Sequence, residues 1–122
     1  MKLYEFEGHA ILKKEGIESP FFITCSNISE IIQARKRLKF PIVAKVQVLS
    51  GKRGKAGGIK VCTTEAALNS FARGNFEKDF QGEQVRFITL AEKIEIDAEY
   101  YISITYDTGK KIPFLLFSEE GG

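Results

Sequence analysis

Residues 41–63 read PIVAKVQVLSGKRGKAGGIKVCT. Two runs rich in Val and Ile, 41–49 and 58–63, flank the segment SGKRGKAGG (50–58), which holds four glycines and three cations. The flanking runs have the β-branched content of strands, and the glycines form their connection. Side chains alternate faces along a strand, so Ile42, Ala44, Val46 and Val48 make one continuous apolar face. Val43, Lys45, Gln47 and Leu49 share the other, so a lysine and a glutamine project together opposite the apolar side. Glycines let a backbone approach a ligand closely and turn its N–H groups onto an anion, while Lys52, Arg53 and Lys55 add positive charge. Phosphate is the partner this chemistry suits. The familiar phosphate-loop spacings are absent: Gly54-Lys55 is followed by Ala56 instead of Ser or Thr, and GxGxxG does not occur. A basic hairpin turn with no ligand stays open beside the phosphate reading. So does an exposed Lys45 on a half-solvated strand, beside a lysine that snorkels, pairs with a carboxylate or meets a ligand. Glu92, Glu95 and Glu99 are the acids available to hold Lys45 or to receive ribose hydroxyls, beside the default in which they are merely solvated.

Outward from this stretch, helix and strand signals alternate. The segment KLYEFEGHAILKKEG predicts a helix with Leu3, Phe6, Ala10 and Ile11 at helical spacing, Lys13 and Lys14 in its last turn and Gly16 beyond it as a C-cap. FFITC (21–25) predicts a short strand. Asn27 with Glu30 three residues on resembles a capping box, opening a helix with Ile28, Ile31, Ile32 and Leu38 on one face and Phe40-Pro41 at its end. Thr64 caps a third helix carrying Ala67, Leu68 and Phe71. A polar stretch, ARGNFEKDFQGEQ, precedes three more strands, VRFITL, EYYISITYD and KIPFLLF, the last two joined by DTGK, where Gly109 suits a tight turn. The fold class is α+β (mixed α/β). The ending SEEGG comes directly after a strand, with paired glycines that usually introduce a further element, so the chain reads as a piece of something longer.

At 122 residues, with 43% hydrophobic and 28% charged, the chain has the composition of one ordinary globular domain. Eighteen Lys and Arg against sixteen Asp and Glu leave +2, too balanced for a surface that grips nucleic acid throughout. No apolar run is long enough for a membrane span, and no signal-peptide core opens the chain, which predicts a cytoplasmic protein. Cys25 and Cys62 have no CxxC neighbour and read as buried thiols.

Three ordered blocks, MKLYEFEGHAILKKEGIESP, FPIVAKVQVLSGKRGKAGGIKV and AEYYISITYDTGKKIPFLLFSEEGG, resemble the start of the succinyl-CoA synthetase beta subunit family. The resemblance spans the chain, and Lys45 to Gly58 is its most specific part. Relatives include malate-CoA ligases and the citrate-directed enzymes citryl-CoA synthetase and ATP-citrate lyase. The resemblance implies that residues 1–122 are the N-terminal, smaller nucleotide-binding lobe of a partial ATP-grasp fold. It further implies a ligand, ATP or GTP, and a setting in the tricarboxylic acid cycle. Lys45 matches the family lysine that contacts the phosphates. Lys52, Arg53 and Gly54 match the phosphate-covering turn, usually Gly-Arg-Gly, with lysine here in place of the first glycine. Ala91, Glu92 and Ile94 match the adenine-contacting hinge, although the family's first acid falls at Ala91 and Glu92 supplies one a position later. Glu99 matches a ribose-side glutamate, and Pro20 a residue near the base.

The same resemblance assigns Mg2+ to an Asn and an Asp on a second lobe beyond this chain. It assigns the phosphorylated histidine to a partner alpha subunit, within a hetero-oligomer. His9 is expected at the surface, and the 122 residues alone are expected to have no turnover. Two readings from other classes stand beside this one. GKRG and GKAG each satisfy the GxxG pattern of RNA-binding KH modules, whose loop joins two helices. Alternatively the chain is a scaffold piece that contacts a partner through Tyr4 and Phe6.

Overall fold

The computed structural model describes residues 2–120. Gly121 and Gly122, expected to introduce a further element, lie outside them. The elements in chain order are α1 (Glu5–Lys14), β1 (Phe22–Cys25), α2 (Ile28–Arg35), β2 (Ile42–Gln47), β3 (Ile59–Cys62) and α3 (Glu65–Asn75). They continue with β4 (Asp79–Phe80), β5 (Glu83–Gln84), β6 (Phe87–Glu92), β7 (Tyr101–Asp107) and β8 (Ile112–Ser118). Strands β1, β6, β2 and β3, in that spatial order, form a four-stranded antiparallel sheet, while β4–β5 and β7–β8 are separate hairpins.

Local chemistry sets the helix ends. Gly16 takes φ 77 just past α1, a left-handed cap that glycine adopts without a Cβ penalty. The Asn27 side chain accepts from the Glu30 N–H at 2.9 Å, and the Glu30 carboxylate accepts from the Ser26 N–H at 2.6 Å, so the box closes on the residue before the cap. Thr64 Oγ1 accepts from the Ala67 N–H at 3.2 Å and starts α3. Helix α2 ends at Arg35, well before Pro41, and the chain continues through i→i−3 turns to Leu38.

Helices α2 and α3 cover one face of the sheet. Ile42, Ala44 and Val46 of β2, with Ile88 and Leu90 of β6, point into that layer and meet Ile31, Leu38, Leu68 and Phe71. Cys25 and Cys62 are buried free thiols on the same side, and burial pushes the Cys25 thiol up to about 12, with Glu30 adding to the shift.

Three expectations are corrected. Ile32 is exposed, because the stripe at Ile28, Ile31 and Ala34 faces the sheet and Ile32 is turned off it. The polar stretch after α3 contains the β4–β5 hairpin, whose Gln81 and Gly82 both take positive φ, and the following strand starts at Phe87, not Val85. Gly109 lies in the β7–β8 turn as expected and donates to Asp107 Oδ1 at 2.9 Å, while Lys111 takes the left-handed position there (φ 57). Tyr4 and Phe6, expected exposed, are half-buried: they stack on each other at 5.6 Å and both meet Phe87 edge-on, which fastens α1 to the sheet.

Candidate nucleotide site

The second face of the sheet follows from register. Val43 pairs with Val61 and Ala91, Lys45 with Ile59 and Thr89, and Phe22 with Ala91, so these side chains share one surface. They floor a cavity of about 400 Å³. Helix α1 walls it with Glu5, Phe6 and His9, while Pro20, Ile94 and Ile96 contribute to its rim. Most of the lining is apolar and suits a flat ring, with Glu5 and Lys45 at one end and Glu92 and Lys93 at the other.

That end has a defined geometry. Lys45 Nζ donates to Glu5 Oε1 at 2.8 Å, and Arg53 Nη2 donates to Glu5 Oε2 at 2.8 Å. Arg53 Nη1 donates to the Val46 carbonyl at 3.0 Å, which pins the glycine loop to β2. Buried Gln47 donates from Nε2 to Thr89 Oγ1 at 3.1 Å. Burial alone would push the Glu5 carboxyl up, but the hydrogen bond and charge of Lys45, followed by those of Arg53, overrule it and hold the group at about 2.

The loop closes on itself through Gly58 N–H to Arg53 O at 2.8 Å and Ala56 N–H to Lys52 O at 3.1 Å. Gly58 is required by close approach: a Cβ there would lie 2.6 Å from Val46 Cγ2 and 2.7 Å from Phe80 Cζ. Lys52, standing where the resembling family has glycine, takes φ 62, a left-handed conformation that explains the glycine preference and strains a lysine.

The cavity therefore brings together Pro20, Lys45, Ala91, Glu92 and Ile94 of the sequence-expected residues. Arg53 joins through Glu5. Lys52 and Gly54 are exposed on the loop, and Glu99 is exposed on the segment between β6 and β7, outside the cavity lining. Ala91 lies inside β6 with register partners on both sides and offers the cavity a methyl group, so the chain leaves the ladder only after Glu92. Glu92 accepts from the Lys39 N–H at 2.7 Å.

Two site expectations are corrected. The acid that meets Lys45 is Glu5, since Glu92 turns to Lys39, Glu95 pairs with Lys93 at 3.1 Å and Glu99 faces solvent. His9 is half-buried, lines the cavity and lies 5.2 Å from the Phe22 ring, because its face of α1 packs on the sheet. Phe22 and Thr89 were missed as well. The period-two alternation of FFITC and VRFITL marks the face they share, but only pairing reveals that it is the Lys45 face. The glycine loop joins two strands, not the two helices that a KH module requires.

No helix among the described residues is long and apolar enough to cross a membrane. Among the same residues, no group of three His, Cys, Asp or Glu side chains is placed to hold a metal ion.

The sequence matches the family model of the ATP-grasp domain over residues 2–122. It is 40% identical over 124 residues to the succinate–CoA ligase [ADP-forming] subunit beta of Methanocaldococcus jannaschii, covering all of this chain and 33% of that subunit. It is 35% identical over 122 residues to the ADP-forming sulfoacetate-CoA ligase subunit SauC of Bilophila wadsworthia, covering all of this chain and 32% of that subunit. The chain thus spans about a third of the length of these curated relatives. Among solved structures, the dinucleotide-forming acetyl-coenzyme A synthetase 1 of Ca. Korarchaeum cryptofilum, in complex with coenzyme A, Ca-AMPCP and HgCl+, superposes with a TM-score of 0.77. That match is at 20% identity and covers 96% of this chain and 53% of the other. A second structure of that enzyme, with a phosphorylated phosphohistidine segment, gives 0.70 at 19% identity, over 95% of this chain and 51% of the other. The antiparallel sheet with its helical layer and glycine loop, together with a family match over almost every residue, assigns this chain to the ATP-grasp domain family.

Proposed function

We propose that this chain is the nucleotide-binding lobe of an acid–CoA ligase of the succinyl-CoA synthetase type, part of a longer, cytoplasmic beta subunit. One observation carries the reading: Lys45 and Arg53 converge on one carboxylate, that of Glu5, at one end of a mostly apolar cavity. A nucleoside triphosphate, ATP or GTP, has the same two-part character, a flat apolar base joined to a polyanion. The base would rest on Ala91 between Pro20 and Ile94, with the backbone after Glu92 available to read its edge. The phosphates would meet Lys45, Arg53 and the loop amides around Lys52 and Gly54. Glu92 and Glu99 would take the ribose hydroxyls, Glu99 reaching in from the exposed segment before β7.

In phosphoryl transfer the protein's work is positioning and charge stabilisation. Lys45, whose backbone is fixed on a central strand, supplies a charge, and the loop supplies donors that can close over the phosphates and exclude water. Catalysis needs charge stabilisation from the rest of the enzyme too, so these residues alone would not turn over. In the complete enzyme the reading implies reversible formation of an acyl-CoA from a carboxylic acid, CoA and a nucleoside triphosphate, through a phosphohistidine on an alpha subunit and an acyl phosphate. The names of the relatives support a common nucleotide lobe with differing acids, succinate in one and sulfoacetate in another. Acid choice then belongs outside this cavity.

The test is Lys45→Ala in the full-length subunit assembled with its partner. Phosphohistidine formation from γ-labelled nucleotide should fall by roughly a hundredfold or more. Unchanged labelling would overturn the assignment.

A further inference from the structure

The carboxylate at the cationic end of the cavity is the chain's own, and the sequence motifs gave it no part. Glu5 stands in the first turn of α1, and each of its oxygens accepts from a different cation, Lys45 Nζ on Oε1 and Arg53 Nη2 on Oε2, both at 2.8 Å. Gln47 Nε2 approaches Oε2 at 3.4 Å, and His9 Nε2 lies 3.6 Å from Oε1. Such a group either competes with an incoming phosphate or orients the cations for it.

Donor counting separates the two. An ammonium has three N–H donors and a guanidinium five. Glu5 engages one on Lys45, and Glu5 with the Val46 carbonyl engages two on Arg53. Both cations keep donors for a phosphate while still bonded to Glu5. Charge points the same way: two cations drawn to one spot repel each other unless an anion lies between them. The lysine stem is flexible, and Arg53 rides on a loop that its bond to the Val46 carbonyl holds to β2, so Glu5 is what aims both cations at one point.

We propose that Glu5 is a positioning residue of the nucleotide site. It holds Lys45 and Arg53 convergent, one on each carboxylate oxygen, so that both meet the same phosphate group, and α1 thereby becomes part of the site. This rests on the nucleotide reading of the cavity given above.

The experiment uses the full-length subunit assembled with its partner. Glu5→Gln keeps the side-chain length but leaves one acceptor oxygen, so only one cation is held. The nucleotide KM should rise about tenfold, with a smaller change in kcat and an unaltered KM for coenzyme A. In a Lys45→Ala background the same substitution should add no more than about twofold, because the two residues act as a unit. A lowered nucleotide KM would reveal a competitor, and an unchanged or fully additive KM a merely structural contact; each result overturns the proposal. Should Glu5→Gln not fold, the wild-type subunit crystallised with a non-hydrolysable triphosphate analogue decides. Glu5 still bonded to both cations supports the proposal, and Glu5 displaced by a phosphate sinks it. Absence of nucleotide-dependent labelling in the wild type is seen before any variant is made, and would refute the underlying reading instead.

Discussion

Strand β6 buries Ile88 and Leu90 completely, whereas β7 and β8, equally apolar, leave Ile104 78% and Leu115 60% exposed. Both regions are antiparallel and rich in β-branched and aromatic residues, so local preference made strands of each. Their surroundings differ. Strand β6 lies between β1 and β2 and under two helices, while β7 pairs only with β8 and has apolar side chains open to solvent on both faces. Strand formation therefore says little about burial, which depends on neighbours distant in the chain, and a lone two-stranded ribbon is marginally stable in water.

The sharpest way to break this comparison is a pair of like substitutions. Leu68→Ala, at a site with no exposed surface, should cost about 2–5 kcal/mol in urea denaturation, whereas Leu115→Ala should stay within about 0.5 kcal/mol. Equal losses would mean that the hairpin shares the core of the sheet.

A smaller effect concerns the acid-sensitive tie between α1 and the sheet. The folded-state value of Glu5, about 2, lies below its ordinary 4.5, so its stabilisation is complete above the higher value and is lost as pH falls through the lower. The stability difference between wild type and Glu5→Gln should shrink by on the order of 2 kcal/mol from about pH 5 to pH 2, followed by denaturation at each pH. A constant difference would show that the carboxylate charge is not what fastens the helix.

Smallest is Lys52→Gly, which removes a side chain from a left-handed position. It should raise stability by about 1 kcal/mol, read as a higher urea midpoint with an unchanged slope. A loss would mean that the lysine makes a contact outweighing its backbone strain.

Much of the site was legible one residue at a time. Alternation along 41–49 separated the buried face of Ile42, Ala44 and Val46 from the face of Lys45 and Gln47, and the structure keeps that division. The motif resemblance named Pro20, Ala91, Glu92 and Ile94, which do line one cavity with Lys45. Glu5 was not legible, because nothing near it in sequence marks it and its partners lie 40 and 48 residues away. The β4–β5 hairpin hid in a polar run, since a two-residue strand has too few positions to display a period.

By itself the sequence determined every element but the β4–β5 hairpin, the caps at Gly16, Asn27 and Thr64, the cationic turn between two strands and the side of β2 that carries Lys45. These follow from backbone preference and from periods of 2 and 3.6 residues, which act over a few positions. Tertiary structure alone decided the order β1-β6-β2-β3, the placement of α1 across the second sheet face and the meeting of Glu5 with Lys45 and Arg53. Those outcomes depend on which distant surfaces best bury apolar area and neutralise charge together, a choice made by the whole chain at once.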